Sequence, residues 1–308
     1  MNELWFGTVQ KFQWVPMPAT IQRRNVSSVE SGTLENGGGF VSRSTGRHSV
    51  FDFNFSTREA HGVGGLDVFT DYASGVFNDY TTVVSGFNRN DLVWFVDPMN
   101  AEQNLFAPHW AAPMLGLGGW PWIGSYVSNA AVAANTYLHP ARTVTFNVTH
   151  AASTLPVETG RRFVIPIPPG YTLRWGWSGS ATGTGAIRAE MHNASTGAMV
   201  SSHPAPLSVT ALTRLNASID GDTYDYATFG IARTSSAAST VTVASMLAVL
   251  HPNTETPPLT GTHIRGAGAS GCVFDGDVIP EEYYLVHEAQ ATHLKGLSFG
   301  LKEIGAWL

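Results

Sequence analysis

Hydrophobic and polar residues alternate with a period of two in several short runs of the chain. The run FDFNF puts Phe51, Phe53 and Phe55 on one face of a strand. The runs VTFNV at 144–148, YTLRW at 171–175 and GLSFGLK at 296–302 alternate in the same way. Because side chains of a strand point alternately to its two faces, the pattern predicts half-buried β-strands. Clusters of Gly, Pro, Ser and Asn separate the runs, as turns require.

Helical periodicity is weak by comparison. The segment LDVFTDYASGVF at 66–77 places four apolar residues near one helix face, which allows one short amphipathic helix. The predicted fold class is therefore all-β, with two β-sandwich-like domains and at most one or two short helices.

The character of the chain changes along its length and predicts a split domain. The first part is rich in aromatic residues, whereas residues 115–251 are rich in Ala, Ser, Thr, Val and Gly. The segment HPNTETPPLTG at 251–261 is typical of a linker, and the last part ends in a strand pattern like those at the start. We therefore expect residues 1–114 and 252–308 to form one domain, with 115–251 inserted as a β-sandwich. Its expected core is Phe146, Phe163, Ile165, Leu173, Ile187, Phe229, Val243 and Leu247.

Composition favours a protein with extensive subunit contacts. Charged residues make up 13% of the 308 residues, about half the usual share of about 25%. The net charge of −6 and the lack of a basic stripe argue against nucleic-acid binding. No apolar run is long enough to span a membrane, the N-terminus does not resemble a signal peptide, and the single cysteine, Cys272, excludes an internal disulfide.

The run HEAQATH resembles a zinc motif but has the wrong spacing. In HExxH the two histidines share a helix face because they lie four residues apart. His287 and His293 are six apart, roughly 240° around a helix or about 20 Å along a strand. We therefore expect no metal here.

The run GAGASG at 266–271 fits the dinucleotide-binding string GxGxxG. That site needs a strand before it and a helix after it, and the sequence that follows has no helical period. A flexible loop is the favoured interpretation, and no cofactor is expected.

The run DGDTYD groups three carboxylates, Asp220, Asp222 and Asp225. An oxygen-rich loop of this kind is what calcium requires, although the EF-hand order is absent. An Asp-Gly turn that leads into a strand explains the same residues without an ion. Calcium binding stays open at this point.

The run YTLRWGW offers a candidate carbohydrate-binding platform. Tyr171, Trp175 and Trp177 share one face of the predicted strand, and sugars stack on flat aromatic rings. Leu173 lies on the same face, and an apolar face usually points into a sandwich core. Core packing is therefore the stronger alternative to sugar binding.

Enzyme motifs are scarce. No GxSxG nucleophile motif occurs, and the carboxylates are scattered, so a glycosidase pair is neither located nor excluded. The stretch NLFAPHWAAP at 104–113 places His109 between two prolines beside Trp110. No partner acid or nucleophile is visible nearby, so a packed, hydrogen-bonded ring is favoured over a catalytic one.

Four segments of the chain together resemble a known group of proteins, and a middle segment resembles a module found in the same assemblies. The segments LWFGTVQKFQWVPMP, ENGGGFVSRS, VWFVDPMNAEQNLFAPHWAAP and LKGLSFGLKEIGAW resemble minor tail proteins of phages that infect actinobacteria. That group is similar to the distal tail proteins of long-tailed phages. The middle segment FVIPIPPGYTLRWGWSGSATGTGAIRAE resembles a β-sandwich module of such tails, itself similar to carbohydrate-binding sandwiches.

The resemblance implies a non-enzymatic virion protein, made in the host cytoplasm and located at the phage tail tip. It implies a homo-oligomeric ring, a hexamer, whose partners are other tail-tip and tail-tube proteins, and it carries over no catalytic residue. The inserted sandwich would point outward, towards a host cell-wall glycan. The alternatives are a free carbohydrate-binding protein and, less favoured, a tail-borne cell-wall hydrolase.

Overall fold

The fold is all-β, as predicted. The computed structural model describes residues 3–9, 11–16, 18, 20–33, 39–55, 92–98, 104–106, 127–134, 142–149, 163–202, 215–233, 237–256, 268–287 and 290–303. Within these ranges the regular elements are all strands, and no helix that could cross a membrane is present. The predicted short helix at 66–77 lies outside the described residues. The strands are β1 (Glu3–Thr8), β2 (Lys11–Pro16), β3 (Thr20–Thr33), β4 (Gly39–Phe55), β5 (Val93–Val96), β6 (Val127–Ala134), β7 (Arg142–Val148), β8 (Phe163–Pro166), β9 (Tyr171–Thr182), β10 (Gly185–His192), β11 (Met199–Ser202), β12 (Ala217–Asp220), β13 (Tyr226–Arg233), β14 (Ser239–Pro252), β15 (Gly268–His287) and β16 (Gln290–Glu303).

Contacts divide the chain into two compact units, each discontinuous in sequence. The first unit comprises Met1–Asn2, Val15–Leu92 and Cys272–Gly305, and the second comprises Glu3–Trp14, Val93–Gly271 and Ala306–Leu308. These boundaries differ from the expected 1–114 and 252–308. The segments 3–14, 93–114 and 252–271 join the second unit instead of the first, because β1 pairs with β5 and residues 104–106 pack on the sandwich.

The first unit contains an antiparallel sheet in the order β15-β16-β4-β3. The predicted alternation holds in it. Phe51 and Phe53 of β4 are buried, as are Phe299 and Leu301 of β16, whereas the residues between them are more exposed. Phe53 stacks on Phe299 with ring centroids 5.1 Å apart.

The second unit is a β-sandwich. One sheet has the order β11-β10-β13-β8 and the other β12-β9-β14-β7-β6. Both sheets contribute to one core cluster, Phe163, Ile187 and Phe229 from the first and Phe146, Leu173 and Val243 from the second. All eight predicted core residues are buried.

Leu247 is buried on the face opposite to the main core. A β-bulge between Val243 and Ser245 of β14 shifts the alternation by one residue. Met246, Ala248 and Leu250 therefore face the main core. Leu247 packs with Leu215 and Val249 in a small separate cluster. The predicted linker at 251–261 also begins later than expected, because His251 and Pro252 are the last two residues of β14.

Candidate functional site

Two of the three residues of the predicted carbohydrate platform are fully buried. Trp175 and Trp177 have no exposed surface and belong to the main core cluster. Trp175 packs edge-on against Phe229 across the sandwich, with ring centroids 5.0 Å apart. Because a buried ring offers no face to a sugar, the core alternative replaces the platform interpretation for these two residues. The physical reason is that this face of β9 covers the opposite sheet.

Tyr171, the third residue, is half-buried at the start of β9 and belongs to a row of aromatic rings. Neighbouring rings in this row have centroids between 4.6 and 6.2 Å apart. The aromatic row runs, in order of contact, through Tyr171, Trp14, Trp5, Phe12, Tyr226 and His192. Strands β1 and β2 supply three of these rings, and β9, β13 and β10 supply one each.

The local sequence explains how the row forms. In KFQW the alternation of β2 places Phe12 and Trp14 on the same face, and both are half-buried. Trp5 of β1 is buried behind them, with its centroid 5.1 Å from that of Trp14 and 6.2 Å from that of Phe12. Tyr226 stacks almost parallel on His192, which is its register partner across β13 and β10. The buried ring of Trp5 thus packs behind the half-buried rings of Phe12 and Trp14.

The three carboxylates of the DGDTYD run accept hydrogen bonds within and between turns. Asp222 accepts hydrogen bonds from the backbone N–H of Gly170 at 2.6 Å and from Nδ2 of Asn253 at 2.9 Å. Asp220 accepts from the N–H of Asp222 at 3.0 Å, and Asp225 from the N–H of Ala194 at 2.7 Å. Among the described residues no group of three such side chains could hold a metal ion. The hydrogen bonds are those that the Asp-Gly turn alternative predicts, and calcium binding stays a question for experiment.

These bonds define a polar rim next to the aromatic row. The rim consists of Asp222, Asp225, Asn253 and Asn193, whose Nδ2 donates to the carbonyl of Thr223 at 2.7 Å. Gly170, which precedes Tyr171, has a φ of 80°, a left-handed conformation that glycine adopts without strain. Thr172 donates to Oδ1 of Asn253 at 2.6 Å, on the other side of Tyr171.

The electrostatics near Tyr171 are acidic. Burial raises the pKa of the Tyr171 phenol above its ordinary value, and the nearby carboxylates of Glu255 and Asp97 raise this pKa further. Negative charge has this effect because it disfavours the phenolate. The rim adjoins both ends of the row along the chain, because Asp222 binds Gly170 beside Tyr171 and Asn193 follows His192.

A buried charged cluster on β10 was not predicted from the sequence. Arg188 and Glu190 are 5% and 3% exposed, and they form an ion pair. Arg188 also donates to Oγ of Ser201 at 3.2 Å. The signal in the sequence is AIRAEMH, in which charged residues alternate with apolar ones. An exposed strand face gives the same alternation, so the pattern alone does not reveal the burial.

The cluster extends to His192 but lacks the geometry of a catalytic triad. Nε2 of His192 lies 3.0 Å from Oγ1 of Thr228 and 3.8 Å from a carboxylate oxygen of Glu190. In a triad the base contacts the nucleophile through one ring nitrogen and the acid through the other. Here both contacts fall on the same nitrogen, so the arrangement suits a structural network.

The remaining sequence motifs lie partly in strands and partly outside the described residues. Gly268–Gly271 begin strand β15 and are not followed by a helix, which removes the context for a dinucleotide site. His287 and His293 lie in different strands, β15 and β16, of one hairpin. His109 lies outside the described residues, so its structural role stays a prediction.

Comparison with known proteins finds no family model that matches the chain and no curated relative. Function therefore has to be inferred from the chain's own residues. The aromatic row and its rim form the arrangement best suited to contact a ligand, because partly exposed rings lie beside fixed polar groups.

Proposed function

We propose that the protein is a structural subunit of a phage tail tip, assembled as a homo-oligomeric ring of six copies, with the second unit directed at the host envelope. The proposal starts from the resemblance of its segments to minor tail proteins. It assigns no reaction to the chain. Two features of the chain support it, the length of the hairpins in the first unit and the scarcity of charge.

The hairpins of the first unit are the observation that carries the proposal. Strands β4 and β16 pair only between 50–55 and 297–302. The β3–β4 hairpin continues beyond this block to the pair Thr33 and Gly39, and the β15–β16 hairpin to the pair His287 and Gln290. Because β4 and β16 are antiparallel, the two arms extend in opposite directions. At about 3.4 Å per residue each arm is roughly 20–30 Å long.

Such arms are well suited to contacts between copies. A two-stranded ribbon is only marginally stable in water, so a long one gains stability when a further strand or surface covers it. Arms that point in opposite directions from one block allow each copy to reach a neighbour on either side. Repetition of one such contact closes a ring when the rotation between copies permits it.

The composition is consistent with repeated subunit contacts. Interfaces have fewer charged residues at their centre than the rest of the surface, and they are enriched in aromatic residues. A chain with 13% charged residues and 11% aromatic residues has the composition expected if much of its surface is covered in an assembly.

Imaging of the purified full chain tests this proposal. We expect negative-stain images to contain closed rings and light scattering at high concentration to give the mass of six copies. Replacement of residues 29–43, the outer part of the β3–β4 arm, by a short Gly-Ser turn should leave the sheet folded and abolish assembly. A matched change in the exposed turn 194–197 should leave assembly intact. A chain that stays monomeric at every concentration contradicts the proposal.

A free carbohydrate-binding protein is the second candidate, and the aromatic row favours it. It predicts a monomer that binds a glycan tightly without assembly. A tail-borne hydrolase is a third candidate that no described cluster favours. Release of soluble fragments from cell walls by the purified protein would support the hydrolase.

A further inference from the structure

We infer that the aromatic row of the second unit, with the polar rim beside it, is a binding site for an uncharged saccharide. The site uses Phe12, Trp14, Tyr171 and Tyr226, and it excludes the two tryptophans of the core. The inference deepens the proposed function, because it gives the host contact of the second unit a surface and a ligand class. The inference rests on the proposed function only in placing the saccharide on the host envelope.

The exposure of the four rings is the first argument. Five large aromatic side chains of the sandwich are completely buried: Trp175, Trp177, Phe146, Phe163 and Phe229. The rings of Phe12, Trp14, Tyr171 and Tyr226 remain half-buried at one end of it. A saccharide ring presents C–H groups that pack on the face of such a ring, and Tyr and Trp combine an apolar body with a polar tip.

Rigidity is the second argument. Trp5 is 4% exposed and lies against both Trp14 and Phe12, so neither ring can turn away without loss of packing. Tyr226 is fixed on its other side by His192, with ring centroids 4.6 Å apart and planes inclined by 4°. Surfaces that are already ordered lose little conformational entropy on binding, which favours weak polar ligands such as sugars.

The rim supplies fixed hydrogen-bonding groups. Each carboxylate oxygen of Asp222 accepts one described hydrogen bond and retains a second acceptor site, since an ionised carboxylate offers about four. Asp222 and Asn253 are exposed, and they tie the turn before Tyr171 to the turn after β14. Acceptor oxygens held in this way can accept hydrogen bonds from the hydroxyl groups of a sugar.

The charge of the site selects the ligand class. Asp97 and Glu255 influence Tyr171 electrostatically, and Asp222 and Asp225 line the rim. Carboxylates repel a polymer that carries phosphate or carboxylate groups, whereas they accept hydrogen bonds from neutral hydroxyls. The site therefore fits a neutral glycan rather than an acidic one.

Binding to a single copy is expected to be weak. A shallow row of rings buries only one side of a sugar, and the entropic cost of association offsets much of the contact energy. Copies linked in an assembly raise the effective concentration of sites at a surface, so that weak contacts add up.

The test is titration of the purified full chain with neutral oligosaccharides of glucose, galactose, mannose, arabinose and N-acetylglucosamine, with oligogalacturonate as the acidic probe. Calorimetry and saturation-transfer NMR measure binding. We expect at least one neutral probe to bind and the acidic probe to bind more weakly. Trp14→Ala and Tyr171→Ala should each weaken binding roughly tenfold, which corresponds to about 1.4 kcal/mol. Phe274→Ala, which removes a half-buried ring from the first unit, is the matched control and should bind like the wild type.

Folding and assembly have to be followed in the same samples. Near-ultraviolet circular dichroism reports folding, and if Trp14→Ala unfolds, Trp14→Leu and Tyr171→Ala decide the question. The inference is overturned if no neutral probe binds at millimolar concentration, if the acidic probe binds better, or if folded variants bind unchanged. If the chain assembles into an oligomeric ring that binds no sugar, this inference is wrong and the proposed assembly stands. If the chain binds sugar but stays monomeric, only the proposed assembly is wrong.

Discussion

The side-chain amide of Asn104 donates a hydrogen bond to the backbone carbonyl of Met246 at 2.9 Å. Its Oδ1 accepts from the N–H of Ala248 at 3.0 Å, and the N–H of Leu105 donates to the carbonyl of Ala248 at 2.8 Å. Strand β7 pairs with β14 only as far as Val243. Beyond that point Asn104 and Leu105 take the place of a neighbouring strand along the edge of β14.

Asn104→Ala should destabilise the second unit by about 2–4 kcal/mol, because it leaves a buried carbonyl and a buried N–H without their partners. Asn104→Asp keeps the acceptor but loses the donor, so we expect it to be destabilised as well. Asn54→Ala, at an exposed position of β4, should change stability by less than about 0.5 kcal/mol. Denaturation by urea measures all three. Equal stability of Asn104→Ala and Asn54→Ala contradicts the role assigned to Asn104.

Sequence periodicity predicted strands and core residues because the face of a strand on which a side chain lies follows from its position in the local alternation. Phe146 and Leu173 illustrate this, since each lies in a run with clear period two and each is buried. The face on which Leu247 is buried was not predictable in this way. One bulge, at Val243 and Ser245, reverses the alternation without any break in the apolar run.

The candidate site was only partly predictable from the sequence. Tyr171 was named because it lies in the same alternating run as Trp175. Its actual ring neighbour, Trp14, is 157 positions away in the chain and reaches it only through the fold. The bounds of the two units also differ from the domain boundaries expected from composition, because no local signal indicates that Trp5 pairs with Val96.

Trp175→Ala and Trp177→Ala should each lower the free energy of unfolding by about 3–5 kcal/mol, as for other buried large rings cut to alanine. Both side chains are fully buried, so truncation of either ring leaves a cavity in the core. Thermal and chemical denaturation check this. Variants that keep wild-type stability and lose sugar binding would restore the original platform interpretation.

Asp222→Ala should destabilise the protein by about 1 kcal/mol, because two exposed hydrogen bonds that join separate turns are lost. Since the carboxylate serves as a turn acceptor, addition of calcium or of a chelator should leave the Tm of the wild type unchanged. Asp275→Ala, at another exposed carboxylate, is the control. A calcium-dependent rise in Tm that disappears in Asp222→Ala would instead establish a calcium site.

Tyr171 should make stability depend on pH in the alkaline range. Its pKa in the folded protein is raised above the ordinary value of 10.0, so the phenol of the unfolded chain ionises first. The contribution of the neutral phenol is therefore complete below pH 10 and is lost as pH rises through the higher folded pKa. Compared with Tyr171→Phe, the wild type should lose stability as the pH rises above the ordinary tyrosine pKa of 10.0. Glu255→Gln should reduce this difference, and a pH profile identical for wild type and Tyr171→Phe contradicts the assignment.

Phe106 distinguishes two fragments of the second unit, one that contains its ring and one that lacks it. Its ring lies 5.3 Å from that of Phe163 and 5.0 Å from that of Phe229, and it is fully buried in the main core. A fragment of residues 115–251, the insert expected from composition, lacks this ring. A fragment of residues 93–271 retains it together with Asn104 and its bonds to β14.

We therefore expect the longer fragment to unfold cooperatively and to be more stable than the shorter one by at least about 3 kcal/mol, the lower end for a buried Phe lost to alanine. Phe106→Ala in the longer fragment should remove most of that advantage, whereas Met199→Ala, at an exposed residue of β11, should not. Urea denaturation of the four proteins measures the differences. If 115–251 is as stable as 93–271, the sandwich is self-contained without Phe106, and the boundaries expected from composition are the better description of the domain.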